Sequence, residues 1–202
     1  MSLLLLLGAT LLAAASPPRL AEIHLEAAPW NVRSGGIAAY DVRIDEKGSV
    51  TSADIVQDVA PYGAMLGHAL PSWRFEPARE GGSPVPSRVL VLGLFRPPVL
   101  YFAAPEKPHY KSTEAPAEVP WPTAVRVPPY PPNTTGDGKV VLEADVSDDG
   151  AVAAVRVVSP ATPFDDASLQ AARQWTFRPA SREGRPTTAR VFLIFSFVGI
   201  TP

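Results

Sequence analysis

"WTFRPASREGRPTTARVFLIFSF" occupies residues 175–197, and "WRFEPAREGGSPVPSRVLVLGLF" occupies residues 73–95. The two lie 102 residues apart and share one order of tryptophan, phenylalanine, proline and glycine before an apolar run. Adding 102 to Pro29, Gly36, Gly48, Val50, Val56, Pro61, Gly82, Pro84, Arg88 or Val89 also lands on the same residue type. No gap is needed between about residues 29 and 95. A repeat at fixed offset means two copies of one small unit. What that unit does is then the functional question.

The second copy is the cleaner. Residues 139–146 alternate, with Val140, Leu142, Ala144 and Val146 on one face and Glu143 and Asp145 on the other, which predicts a half-buried strand. "SDDG" (147–150) supplies a hairpin turn, and 152–158 returns as a second strand. Thr162 offers an N-cap and Pro163 a first helical position, and Phe164, Ala167, Ala171 and Trp175 recur at helical spacing. Residues 188–197 close the unit as a third strand. In the first copy the hairpin falls at 37–44 and 50–56, the helix at 62–72 and the last strand at 88–95. Gly63, Gly67 and Pro71 make that helix the less regular of the two. The fold class read from this pattern is α+β: two tandem small domains, each an antiparallel three-stranded sheet packed against a helix. The expected boundaries are 1–15 (leader), 29–96, 97–128 (linker) and 129–198.

Trp175, Phe177 and Pro179, with Trp73, Phe75 and Pro77, carry no nucleophile, acid or ligand. They read as a packing signature, as do the turn residues Gly48 and Gly150. The closing strands exceed packing. "RVFLIFSF" puts Phe192 and Ile194 on one face and Val191, Leu193, Phe195 and Phe197 on the other, and "RVLVLGLF" behaves alike. One helix covers one face of a small sheet. The other face packs on the linker or the sister domain, or a partner covers it or adds a strand at its edge.

Net charge is −2, which gives no electrostatic argument for nucleic acid. There are no cysteines, hence no disulfides, and three histidines, His24, His68 and His109, scattered along the chain. The adjacent carboxylates Asp148-Asp149 and Asp165-Asp166 suit turns and caps. "DVSDDG" fails as a calcium loop because Arg156 stands where a bidentate glutamate is required. The residues point to no enzyme, metal or cofactor. Of the 24 prolines, eleven fall within 97–132, a stiff extended spacer. Tyr101, Phe102, Tyr110 and Trp121 argue that parts of it dock. Leu3 to Ala15 is a short apolar run ending in alanines, the pattern of a secretory leader or a short uncleaved anchor. Export to a bacterial envelope is expected.

With these residues laid out, the chain resembles the carboxy-terminal domain of TonB, the envelope energy transducer, present twice. Residues 128–159 ("PPYPPN…GDGKVVLEADVSDDGAVAAVRVVS"), the helix ending in "WTFRPA" and "GRPTTARVFLIFSF" carry the likeness, with Tyr130-Pro131 before the first strand. Residues 29–95 fit through "DEKGSV" and "WRFEPA". The resemblance implies a non-enzymatic periplasmic domain, without cofactor, that binds an extended peptide of an outer-membrane transporter or other envelope protein by strand addition. The implied edge is Arg190, Val191, Phe192, Leu193, Ile194, Phe195, Ser196 and Phe197, with Arg88, Val89, Leu90, Val91 and Leu92 as a possible second edge. The alternative is a structural protein whose two domains pair with each other, or dimerise, without binding peptide.

Overall fold

The computed structural model describes residues 15–26, 35–96, 115–134 and 136–199. Residues 1–14 of the apolar leader, Pro29, Tyr101, Phe102, His109 and Tyr110 lie outside the described residues. A short strand β1 (Arg19–Glu22) leads into the hairpin β2 (Gly36–Ile44) and β3 (Val50–Gln57), then helix α1 (Tyr62–Ala69) with a 3-10 turn after it. Strands β4 (Arg74–Glu76), β5 (Ala78–Glu80), β6 (Ser83–Val85) and β7 (Ser87–Phe95) follow. The second half keeps that order: β8 (Trp121–Ala124), β9 (Gly138–Val146), β10 (Val152–Ser159), α2 (Asp165–Ala172), β11 (Thr176–Arg178), β12 (Ala180–Arg182), β13 (Arg185–Thr187) and β14 (Ala189–Phe197).

The class is α+β, but the strands do not form two separate sheets. One six-stranded sheet runs β10-β9-β14-β7-β2-β3, antiparallel throughout except at its centre, where β14 and β7 pair in parallel. The helices lie on opposite faces. Tyr62 and Leu66 of α1 join Val89, Val91 and Phe95 of β7 in one core. Leading into and along α2, Phe164 and Ala172 join Val191, Leu193, Phe195 and Phe197 of β14 in the other. A parallel central pair with the helix switched from face to face is the signature of a pseudo-two-fold axis in the plane of the sheet, along the strands.

That axis answers the question of the doubly apolar closing strands. Leu90, Leu92 and Leu94 of β7 belong to the core capped by the second half, while Phe192 and Ile194 of β14 belong to the core capped by the first. Phe75 and Phe192 meet edge to face across the halves, centroids 5.3 Å apart. Each closing strand buries one face under its own helix and the other under its sister's layer.

Two local expectations are corrected, the cap of α2 and the extent of the linker, and two further details fill in the pattern. Helix α2 starts at Asp165 after Phe164, so Thr162 and Pro163 stand before it; Asp165 Oδ1 instead accepts the Ala161 N–H at 2.8 Å. Helix α1 is as long as α2, because its glycines make room: a Cβ on Gly67 would lie 2.4 Å from the Tyr40 hydroxyl. The segment after Pro179 pairs again as the hairpin β12–β13, turned by Glu183 and Gly184, both at positive φ, matched by Gly81 and Gly82 in β5–β6. Finally, the second half of the expected linker is folded. Strand β8 pairs with β11, Val119, Trp121 and Pro122 are buried, and 117–128 is the counterpart of 15–26. The indole N–H of Trp73 donates to His24 O (3.0 Å) and that of Trp175 to Arg126 O (2.9 Å), so the offset of 102 extends to the residues before β2.

Candidate interaction surface

The residues expected to form a peptide-binding edge are interior. From Val191 to Ser196, β14 is paired with β7 on one side and β9 on the other, and β7 is likewise flanked by β2. Leucine and phenylalanine side chains along both strands are buried. The expectation that 190–197 or 88–92 offers an open edge is therefore corrected: the ladder positions are filled within the chain. The physical reason is the apolar second face, which the sister half covers. The outer edges of this sheet are β3 and β10, and both carry register breaks near each end, a device that blunts edge pairing.

Arg88 and Arg190, read as the start of each edge, instead clamp carboxylates beside the seam. Arg88 grips Asp41 through two bonds of 2.7 and 2.5 Å and reaches Glu118 at 3.0 Å. The bonds to Asp41 hold its guanidinium above the ordinary arginine value. Arg190 grips Asp145 at 2.8 and 3.0 Å, lies 3.4 Å from Glu143 and donates to Pro18 O at 3.1 Å. Glu143, expected on a solvent face, is 2% exposed. Its carboxylate takes Arg156 at 2.5 Å and the Leu20 N–H at 2.7 Å. A carboxylate this deep requires such partners, because an unpaired buried charge costs several kcal/mol. Asp41 and Glu143 stand 102 residues apart, one on each face. Carboxylates at matching positions within two largely apolar strands were the signal in the sequence that these were structural charges.

The bonds Arg88–Glu118, Arg190–Pro18 and Leu20–Glu143 each join one half to the other. At the same end of the sheet an open cleft of about 1460 Å³ lies between the two hairpins, lined by the equivalent pairs Arg88 and Arg190, Glu80 and Arg182, and Arg43 and Asp145. The two arginines of its floor are consumed by the carboxylates just named.

The packing signature is placed as a framework around the seam. Trp73, Phe75, Trp175 and Phe177 are buried, with Pro77 and Pro179 half-buried behind them. The Phe75 and Phe177 N–H groups donate to Gly48 O and Gly150 O, each at 2.8 Å. Tyr130, followed by half-buried Pro131, packs edge-on against Phe164 (5.4 Å) and Phe197 (5.8 Å). The aspartates serve turns: Asp149 accepts the Ala151 N–H at 3.0 Å and the Ser147 hydroxyl at 2.5 Å, which hold its carboxyl below the ordinary value.

Among the described residues no helix is long and apolar enough to cross a membrane. A search among curated proteins returns no match to the chain. Residues 128–198, from the approach to β9 through the end of β14, match the family described as the C-terminal domain of the Gram-negative bacterial TonB protein.

Proposed function

We propose that the chain is a non-enzymatic envelope protein of the TonB C-terminal kind, in which two copies of one β-β-α-β unit have become partners of each other. The first copy, residues 29–96, is the more divergent. In this reading the strand that the family resemblance assigns to an incoming peptide receives the sister's last strand instead. The observation carrying it is the parallel ladder between β7 and β14, six residue pairs long, with both strands also paired on their far sides. The periplasm as location, a leader at residues 1–15, and an outer-membrane transporter or another envelope protein as eventual partner go with this reading. The chain then acts as a scaffold or adaptor whose docking lies away from β14, and homodimerisation through β14 is not needed.

The test is hydrogen exchange with and without extended peptides from transporter amino termini. Amides of 89–94 and 191–196 are expected to stay protected and unchanged at millimolar peptide, in a protein that sediments as a monomer. Deprotection of 89–94 together with retained protection of 191–196 would mean that a peptide displaces β7, and would overturn the self-paired reading.

A further inference from the structure

We propose that the groove holding residues 15–26 is a recognition site for an extended peptide, which the chain fills with its own N-terminal strap. The strap has the chemistry of a bound peptide. Its main chain is held at intervals: Ser16 and Arg79 exchange two bonds of 2.9 Å, Pro18 O accepts from Arg190, Leu20 N–H donates to Glu143, and His24 O accepts from Trp73. Its apolar side chains enter the fold at spaced positions, Pro18 and Leu20 buried, Ile23 and Leu25 half-buried, with exposed residues between them. Main-chain bonds with spaced side-chain pockets are how sheet proteins read extended ligands.

The groove is composite. Leu20 shares its core with Trp73 and Phe75 of the first half and with Val141, Phe192 and Ile194 of the second. It also carries a built-in specificity element. Glu143 is buried and faces the strap's backbone, so the residue at the Leu20 position must bring an N–H, which excludes proline there. Over Asp41 the counterpart of Leu20 is Pro122, and Asp41 is satisfied by Arg88. The counterpart arm is also the better anchored: Val119, Pro120, Trp121 and Pro122 are consecutively buried. Both arms join their neighbouring strand through three residue pairs with one register break, so the difference lies in burial: in the strap, buried or half-buried residues are separated by exposed ones. The strap is thus the exchangeable one of the two. The ligand class is an extended segment with proline, leucine and two further aliphatic residues at the spacing of Pro18, Leu20, Ile23 and Leu25. This does not rest on the self-paired seam being inert, since the seam uses the ladder bonds between β14 and β7 and the groove uses one face of β14.

The chain has no cysteine, so a single engineered pair can lock the strap. In the double variant Ser16→Cys, Arg79→Cys, a labelled peptide of residues 16–26 is titrated before and after oxidation. Saturable binding is expected to the reduced protein, weakened at least about tenfold by oxidation, because the tethered strap then occupies the groove permanently. Leu20→Asp, which disfavours the strap, is expected to tighten peptide binding about tenfold relative to the unaltered chain. A peptide with proline at the Leu20 position is expected not to bind. Equal binding to oxidised and reduced protein would overturn the proposal. So would the lack of saturable binding to reduced protein at millimolar peptide; should Leu20→Asp fail to fold by circular dichroism, the disulfide pair decides alone. A dimer that oxidation dissolves would assign the groove to the strap of a second copy and overturn the partner proposed.

Discussion

Gly48 and Gly150 show why single residues recur at the offset. Both have positive φ, +81° and +87°, and a Cβ on either would lie under 2 Å from the carbonyl oxygen of Phe75 or Phe177. Close backbone approach and left-handed φ together leave glycine alone at the position. The hairpin turns are less strict. Gly81 and Gly82 turn β5–β6, but Glu183 holds φ +53° beside Gly184 in β12–β13. A side chain there is strained, so Glu183→Gly is expected to stabilise the protein by about 0.5–1 kcal/mol, read as a shift in urea midpoint at unchanged slope. The tyrosines give a pH prediction. Burial pushes the Tyr62 phenol above its ordinary value, and burial followed by the nearby Asp58 charge does the same for Tyr40. A proton held more tightly folded than unfolded supports stability fully below about pH 10, and that support is lost as pH rises through the folded value. Lys139, its amine depressed chiefly by burial, acts in the opposite sense over the same range. Unfolding free energy measured from pH 9 to 11 is therefore expected to fall less steeply in Tyr62→Phe than in the unaltered chain.

Elements whose signals are local were legible. The β2–β3 and β9–β10 hairpins follow from alternation plus Asp-Gly or Lys-Gly turns, and α2 from apolar spacing, with both helices placed to within about three residues at their ends. The partners of β7 and β14 were not, because their pairing joins residues about 100 positions apart and no local pattern specifies it. The clue was present in another form. A strand apolar on both faces is the mark of a central, often parallel, strand, whereas an exposed docking edge is usually blunted by charge or bulge, as Asp54 and Arg156 are placed on β3 and β10. Of the covers expected for the second face, the sister half is the one found, and the docking edge is not. The difference is testable at Leu193, which faces Leu92 on one side and Leu142 on the other. Proline there removes a ladder N–H inside the sheet, and Leu193→Pro is expected to cost at least about 3 kcal/mol. Near-ultraviolet dichroism should report Trp73 and Trp175 losing their fixed environments together, although only one of them belongs to the altered half.

At the scale of the molecule, the two halves form a dimer that happens to be one chain. Residues related by the offset build matching layers on opposite faces, and the cross-links of the seam, Arg88–Glu118, Arg190–Pro18 and Leu20–Glu143, all run between halves. Neither half keeps its closing strand covered without the other, since Leu90 and Leu92 lie in one core and Phe192 and Ile194 in the other. Unfolding should therefore be one transition for both halves, with coincident curves from fluorescence and far-ultraviolet dichroism. The connection through residues 97–114 keeps the two halves at a high effective concentration. Cutting the chain there with a protease site leaves the ladder intact, and the two fragments are expected to co-elute as one particle of unchanged dichroism. Tethers of this kind supply effective concentrations of about millimolar. At micromolar protein the cut should thus lower stability by roughly 4 kcal/mol and make the unfolding midpoint rise with protein concentration. Fragments that separate while each keeps its native dichroism would mean that each half folds around its own strands, and that the seam is a contact of convenience between two independent modules.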